Sequence, residues 1–254
     1  MQHQFVHSLS LSNLNTLCEL KMTIKSYREV NPLFSARVAG LLYLMIIVFG
    51  VSSELLVRAP IIDFTDPVAT ARNISNNESL FRFGFLADTI MLMCDIALAV
   101  VFYVLFRPVN EPLSLLAAAF RLTQAVILSV NLLFYYSAIL LLSKWSYFSL
   151  QNDENILAMA TFVLDIHSHG YDLGLIFFSL SNFILAYLII KSQYIPRVFG
   201  YGLLAAAIVY LAGSYTRFML PSYIDTIQVI YLLPLIAELA LSVYLLSKGL
   251  RYIQ

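Results

Sequence analysis

Six long apolar runs constrain what this chain can fold into more than any other feature. A transmembrane helix needs roughly 20 mostly apolar residues. Runs of that size lie at about residues 36–57, 81–106, 113–142, 168–190, 196–218 and 227–247, the fourth extending outward from near Asn155. Strands of a membrane barrel would be about ten residues long and would alternate in polarity; these runs are longer and do not alternate. Only 12% of the residues are charged, about half of the ~25% usual in a soluble domain, so the surface suits lipid rather than water. The expected fold is all-α, a polytopic membrane helix bundle of about six transmembrane helices.

The breaks between the runs are legible. Pro60, Asp63, Asp66 and Pro67 mark the first loop, with Asn73, Asn76 and Asn77 following. Arg107, Pro108, Asn110, Glu111 and Pro112 make a tight turn, and residues 143–154 form a polar link. Pro196 opens the fifth helix, in the first turn where proline costs no hydrogen bond. Pro221 and Asp225 lie in the last loop. Orientation follows from the Lys and Arg residues near the span ends. One side collects Lys21, Lys25, Arg28, Arg37, Arg107, Lys191, Arg197, Lys248 and Arg251; the other holds Arg58, Arg72, Arg82, Lys144 and Arg217. This excess puts both termini in the cytoplasm.

Residues 1–35 are polar and lack the apolar core of a cleaved signal. They read as a polar cytoplasmic tail, with residues 36–250 as the transmembrane domain. Met22 is a second candidate start, since Met22, Thr23, Ile24 and Lys25 read as a short basic leader; the alternative is that the whole stretch is a disordered tail. Cys18 lies in this tail and Cys94 in the middle of a span, so no disulfide joins them. A net charge of zero gives no basic surface for nucleic acid, which leaves the lipid bilayer as the expected partner.

Ionisable groups inside a span cost at least ~2.5–3.5 kcal/mol each and mark either function or a structural pair. At ~1.5 Å per residue they sort into two depths. Asp95, Arg121 and Glu238 lie roughly 12–17 Å from the cytoplasmic edge, one arginine and two acids at one level. They suggest a shared buried ion-pair cluster, either a clamp on helix register or a proton or ion relay. Arg121, Gln124, Asn131 and Tyr135 form a polar stripe on the third helix. An outer polar cluster comprises Glu54, Asp88 and Asp172, roughly 27 Å up, with His167 and His169. Asp88 and Asp95 share one face of the second helix, and Asp165, His169 and Asp172 share a face of the fourth. Asp88, His167, His169 and Asp172 are candidate ligands for a divalent metal, or proton carriers, or simply polar groups at a wet interface.

Residues 95–121 and 182–210 resemble each other faintly, each being a helix, a basic proline turn and a Leu-Leu-Ala-Ala-Ala start, as internal repeats of transporters do. Gly170 and Gly174 have the spacing that permits close helix contact, within the molecule rather than between copies. Asn73 and Asn77 head glycosylation sequons.

Several stretches carry a family resemblance: ARVAGLLYL at Ala36, LADTIMLMCDIALAVVFYVLFRPVN at Leu86, LLAAAFRLTQAVILSVNLL at Leu115, HSHGYDLGLIFF at His167, ILAYLIIKSQYIPRVFG at Ile184 and ELALSVYLLSKG at Glu238. The chain is similar to a prokaryotic multi-pass membrane family, domain of unknown function 4386, across about 36–250. The resemblance implies a bacterial or archaeal plasma-membrane protein and implies no activity or cofactor. It makes His167 the characteristic histidine, whereas periodicity favours His169. Family members often carry another His near the position of Ser181, and its absence here weakens a metal site.

Three functions compete. The first is a small transporter or ion/proton-coupled carrier, resting on the polar faces and the two levels of charge. The second is a membrane-embedded enzyme using the outer Asp/His cluster; no HExxH, GxSxG or P-loop motif supports it. The third is a non-catalytic membrane sensor or assembly protein.

Overall fold

The computed structural model describes residues 31–143, 154–223 and 228–251. Met22, Cys18, Lys21, Lys25, Arg28, Lys144, Asp153 and Asp225 lie outside these residues. Seven helices follow: α1 (Pro32–Ile61, with a π-helical turn over Ser53–Arg58), α2 (Pro67–Asn76), α3 (Glu78–Phe106), α4 (Glu111–Leu142), α5 (Glu154–Ser192), α6 (Arg197–Met219) and α7 (Leu232–Ser247). All but α2 are long and apolar enough to cross a membrane, α7 together with the 3₁₀ turn Gln228–Tyr231 that precedes it.

Side chains at the chain breaks explain the helix ends. The Asn31 side chain accepts from the N–H groups of Leu33 and Phe34 ahead of Pro32, and that of Asn110 accepts from Leu113 N–H at 3.0 Å ahead of Pro112. Each cap satisfies orphan donors, and the following proline supplies helical φ without needing a donor. At the other ends, Gln193 at φ 58° stops α5 and Gly249 at φ 68° stops α7. The Gly249 N–H returns to the Leu245 carbonyl, the left-handed stop that glycine tolerates best.

Two expectations need correction. The first loop is shorter than the prolines and asparagines suggested: Asp66 caps α2 through Ala69 N–H at 2.9 Å, and Thr70, Ala71 and Ile74 are buried. The first span runs on past Val57 to Ile61, so Arg58 belongs to the helix and not to a loop. α5 does extend outward past Asn155, to Glu154.

Each spanning helix packs against its sequence neighbours, and α7 closes on α1, so the six form a ring. Asn31 and Arg251 fall at one end, here the near end, where Arg251 N–H donates to the Tyr194 carbonyl at 2.8 Å. Close approach within the ring is set by small residues: a Cβ on Gly174 would meet Leu128 Cδ2 at 2.7 Å, and one on Gly170 would strike Asn131. The GxxxG pair thus seats α5 on α4. In the near half the interior is an apolar core that includes Leu98, Phe102, Phe106, Leu188, Ile195 and Leu245. In the far half a smaller core surrounds Phe81, stacked on Tyr135 with centroids 4.1 Å apart.

Candidate functional site

The polar residues of the ring interior gather between these two cores. Tyr43, Asp95, Arg121, Asn182 and Glu238 lie roughly 14–17 Å along their helices from the near end, about half of a ~30 Å hydrocarbon layer. Five helices supply them and α6 adds Tyr210. All five of the first group are buried, Arg121 to 1% exposure. Arg121 Nε and Nη2 each lie 2.6 Å from Asp95 Oδ1. Its guanidinium carbon also sits 5.4 Å from the Tyr43 ring centroid and 4.8 Å from that of Phe178, so aromatic faces replace part of the lost hydration.

Glu238 has no arginine of its own at bonding distance. Asn182 Nδ2 donates to its Oε1 at 3.1 Å and the Tyr210 hydroxyl donates to its Oε2 at 3.2 Å. The Tyr43 hydroxyl faces the same carboxyl, and Arg121 acts on it through space. The site therefore holds two carboxyl groups and one guanidinium. Several polar atoms around it are buried without a hydrogen bond: Asp95 Oδ2, Arg121 Nη1, Gln124 Oε1 and Asn182 Oδ1. Such atoms are rare in a settled interior. A crevice lined by Ser114, Ala117 and Ser181 leads to Arg121 from the near half and has room for about one water molecule. Asp95 and Asn182, the first residues of the two similar stretches, thus stand at one level in adjoining parts of the same site.

The far-level residues do not form one cluster. Arg58 Nη1 contacts Asp88 Oδ2 at 2.5 Å while its Nε donates to Glu54 Oε2 at 2.7 Å. Asp172 pairs with Arg217 instead. His167 is buried, its Nδ1 3.1 Å from the Asn131 carbonyl, and Asn131 Nδ2 donates back to the His167 carbonyl at 2.7 Å. His169 is half-exposed on the opposite side of α5, beside Asp165 at 3.4 Å and against the Phe218 ring. Among the described residues no three His, Cys, Asp or Glu side chains converge on a metal-sized space. The candidate ligands Asp88, His167, His169 and Asp172 are kept apart because each buried acid is claimed by an arginine and the two histidines face different ways.

Arg58 and Arg217 are what the sequence reading missed as site residues. Both sit at the end of an apolar run next to loop residues, where an arginine ordinarily snorkels into water. The signal that could have found them is the excess of acids at that depth, since a buried carboxylate needs a cation.

The chain is an integral membrane protein of six spanning helices. It is 28% identical over 129 residues to a protein of Archaeoglobus fulgidus that bears the name "Uncharacterized protein". That match takes in 51% of this chain and 64% of the relative, so the chain spans less than two thirds of the relative's length. No solved structure matches it. The family model described as Domain of unknown function (DUF4386) matches residues 38–249, and the chain belongs to that family.

Proposed function

We propose that the protein is a small transporter, an ion- or proton-coupled carrier, whose coupling site is the midplane cluster of Asp95, Arg121 and Glu238. The observation that carries this reading is the charge count. Asp95 and Arg121 cancel, and Glu238 is left over in the middle of the ring with hydroxyl and amide donors around it. A clamp on helix register needs only matched charges; an additional carboxyl at that depth is a cost of at least ~2.5–3.5 kcal/mol when ionised and serves something that binds and leaves. A proton or small cation neutralises the surplus, and the crevice beside Arg121 suits species of that size better than a bulky solute.

The plasma membrane with a cytoplasmic N-terminus is the setting we infer, with the residues ahead of Pro32 as a tail and the six spanning helices as the membrane unit. Arg58 and Arg217 are committed to buried carboxylates, so among the described residues Arg72 and Arg82 stand at the far end against Arg37, Arg107, Lys191, Arg197, Lys248 and Arg251 at the near end. That bias supports near end inside.

The test is proton flux into liposomes holding the purified protein and a trapped pH-sensitive dye, driven by a potassium diffusion potential. Glu238→Gln keeps the size and most hydrogen bonds, and should abolish flux while melting close to wild type. Flux that ignores both Glu238→Gln and Asp95→Asn overturns the reading.

A further inference from the structure

The Arg58 cluster is built unlike a simple ion pair. One guanidinium is shared by two carboxylates in different surroundings. Asp88 on α3 is buried at 2% exposure, while the side chain of Glu54, one turn from Arg58 on α1, is 58% exposed. Ser53 Oγ accepts from Arg58 Nη1 at 3.0 Å and donates to the Gly84 carbonyl at 3.3 Å, fixing the floor. The turn that carries Glu54 and Arg58 is π-helical, a form that concentrates at functional sites because its loosened ladder re-aims side chains. Asp88 Oδ2 is used by Arg58, yet Asp88 Oδ1 is buried with no partner, as is His167 Nε2 nearby on α5.

The cluster also points inward. Asp88 and Asp95 are two turns apart on one face of α3, roughly 10 Å along the axis, and each has one carboxylate oxygen that its arginine does not contact. Met91 and Leu92 lie between them on that face, in a small apolar cluster against which Tyr171 packs. Its ring centroid is 5.5 Å from the Arg58 guanidinium carbon, and its hydroxyl interacts electrostatically with Asp88, Glu54 and Asp95. Toward the near end the interior is a larger apolar core, apart from the single-water crevice.

We propose that Glu54, Arg58 and Asp88, with Tyr171, form a second proton-exchange station that joins the midplane site to water at the far surface. The proposal rests on the carrier reading above and adds the side and the residues of access. A proton from water adds to a Glu54 carboxylate oxygen. It passes to Asp88 Oδ1 as the O–H bond on Glu54 breaks, and Arg58 shifts its closer contact to the Glu54 carboxylate left behind. It then leaves Asp88 for Asp95 Oδ2 by way of the Tyr171 hydroxyl, which takes one proton and gives up another. The station is net −1 with both carboxylates ionised and neutral while either one holds the proton, and in every state the guanidinium faces at least one ionised carboxylate.

The liposome assay with the trapped dye tests this on the full chain, using Glu54→Gln and Asp88→Asn beside Glu238→Gln. Glu54→Gln changes an exposed side chain and should keep the wild-type melting temperature, so it remains decisive if Asp88→Asn fails to fold. We expect flux lowered about tenfold or more by either change, the scale of losing one positioned proton-transfer group. Wild-type flux that falls with Glu238→Gln but is untouched by Glu54→Gln and by any folded Asp88→Asn overturns the station alone. No flux from wild type overturns the carrier reading and the station with it.

Discussion

At the scale of single residues, Arg121 is the side chain on which most depends. It is buried among Asp95, Tyr43 and Phe178 and within reach of Glu238. Removing one partner of a buried ion pair costs about 3–5 kcal/mol because the other charge is stranded. Arg121→Ala strands two carboxyl groups, whereas Asp95→Asn leaves Arg121 with Glu238 still in the same field. Arg121→Ala should therefore lower the melting temperature in detergent clearly more than Asp95→Asn; equal melting temperatures would sink the idea of one shared cluster. Gly84 sets a second residue-scale test. A Cβ there would meet the Tyr135 hydroxyl at 2.6 Å and Val57 Cγ1 at 3.0 Å, and that hydroxyl donates to the Phe81 carbonyl at 2.8 Å. Gly84→Ala should destabilise by about 1–3 kcal/mol through overpacking, measured by thermal melting, with Tyr135→Phe in the same background recovering part of the loss.

At the scale of elements, α2 is the piece whose stability is local. Its N-cap is the Asp66 side chain, and the preceding turn is tied by Asp63, which accepts from the Thr65 N–H at 2.8 Å and the Thr65 hydroxyl at 2.6 Å. Asp66→Ala should cost about 1 kcal/mol and show as faster proteolytic cutting between α1 and α2, with the melting of the bundle changed little. The Thr65 hydroxyl, aided by its N–H, holds the Asp63 carboxyl below the usual carboxylate range. A carboxylate lowered in the folded state stabilises the turn above its unfolded value of about 3.9. That contribution disappears as pH falls through the lowered folded value. The difference in turn protection between wild type and Asp63→Asn should thus be present at neutral pH and vanish in strong acid; a difference that grows on acidification contradicts the assignment. α2 was illegible in the sequence for a physical reason: its polar face and flanking prolines and asparagines resemble a loop, and its buried stripe of Thr70, Ala71 and Ile74 is too short to register as a period.

At the scale of the whole molecule, the six-helix ring predicts one topology. With the native cysteines replaced, Thr65→Cys should react with a membrane-impermeant maleimide in intact cells, and Lys248→Cys only after permeabilisation; the reverse pattern inverts the orientation drawn from the basic residues. The number of spans and their ends to within a turn or so were legible from residues alone, because the need for apolar side chains and paired backbone groups in lipid is a property of each segment by itself. The common level of Asp95, Arg121 and Glu238 along their helices was legible too, since rise per residue converts position into height. Partners were not. Which acid meets which arginine depends on helix rotation and on which helices are neighbours, and the decisive facts arise only when the ring closes. Arg58 and Arg217 turn inward, Asp88 and Asp172 separate, and Glu238 meets Asn182 and Tyr210 across the interior. Hydropathy is a sum along the chain and is fixed before folding; the pairing of charges is a choice among faces, made by packing small residues such as Gly170 and Gly174 against Asn131 and Leu128.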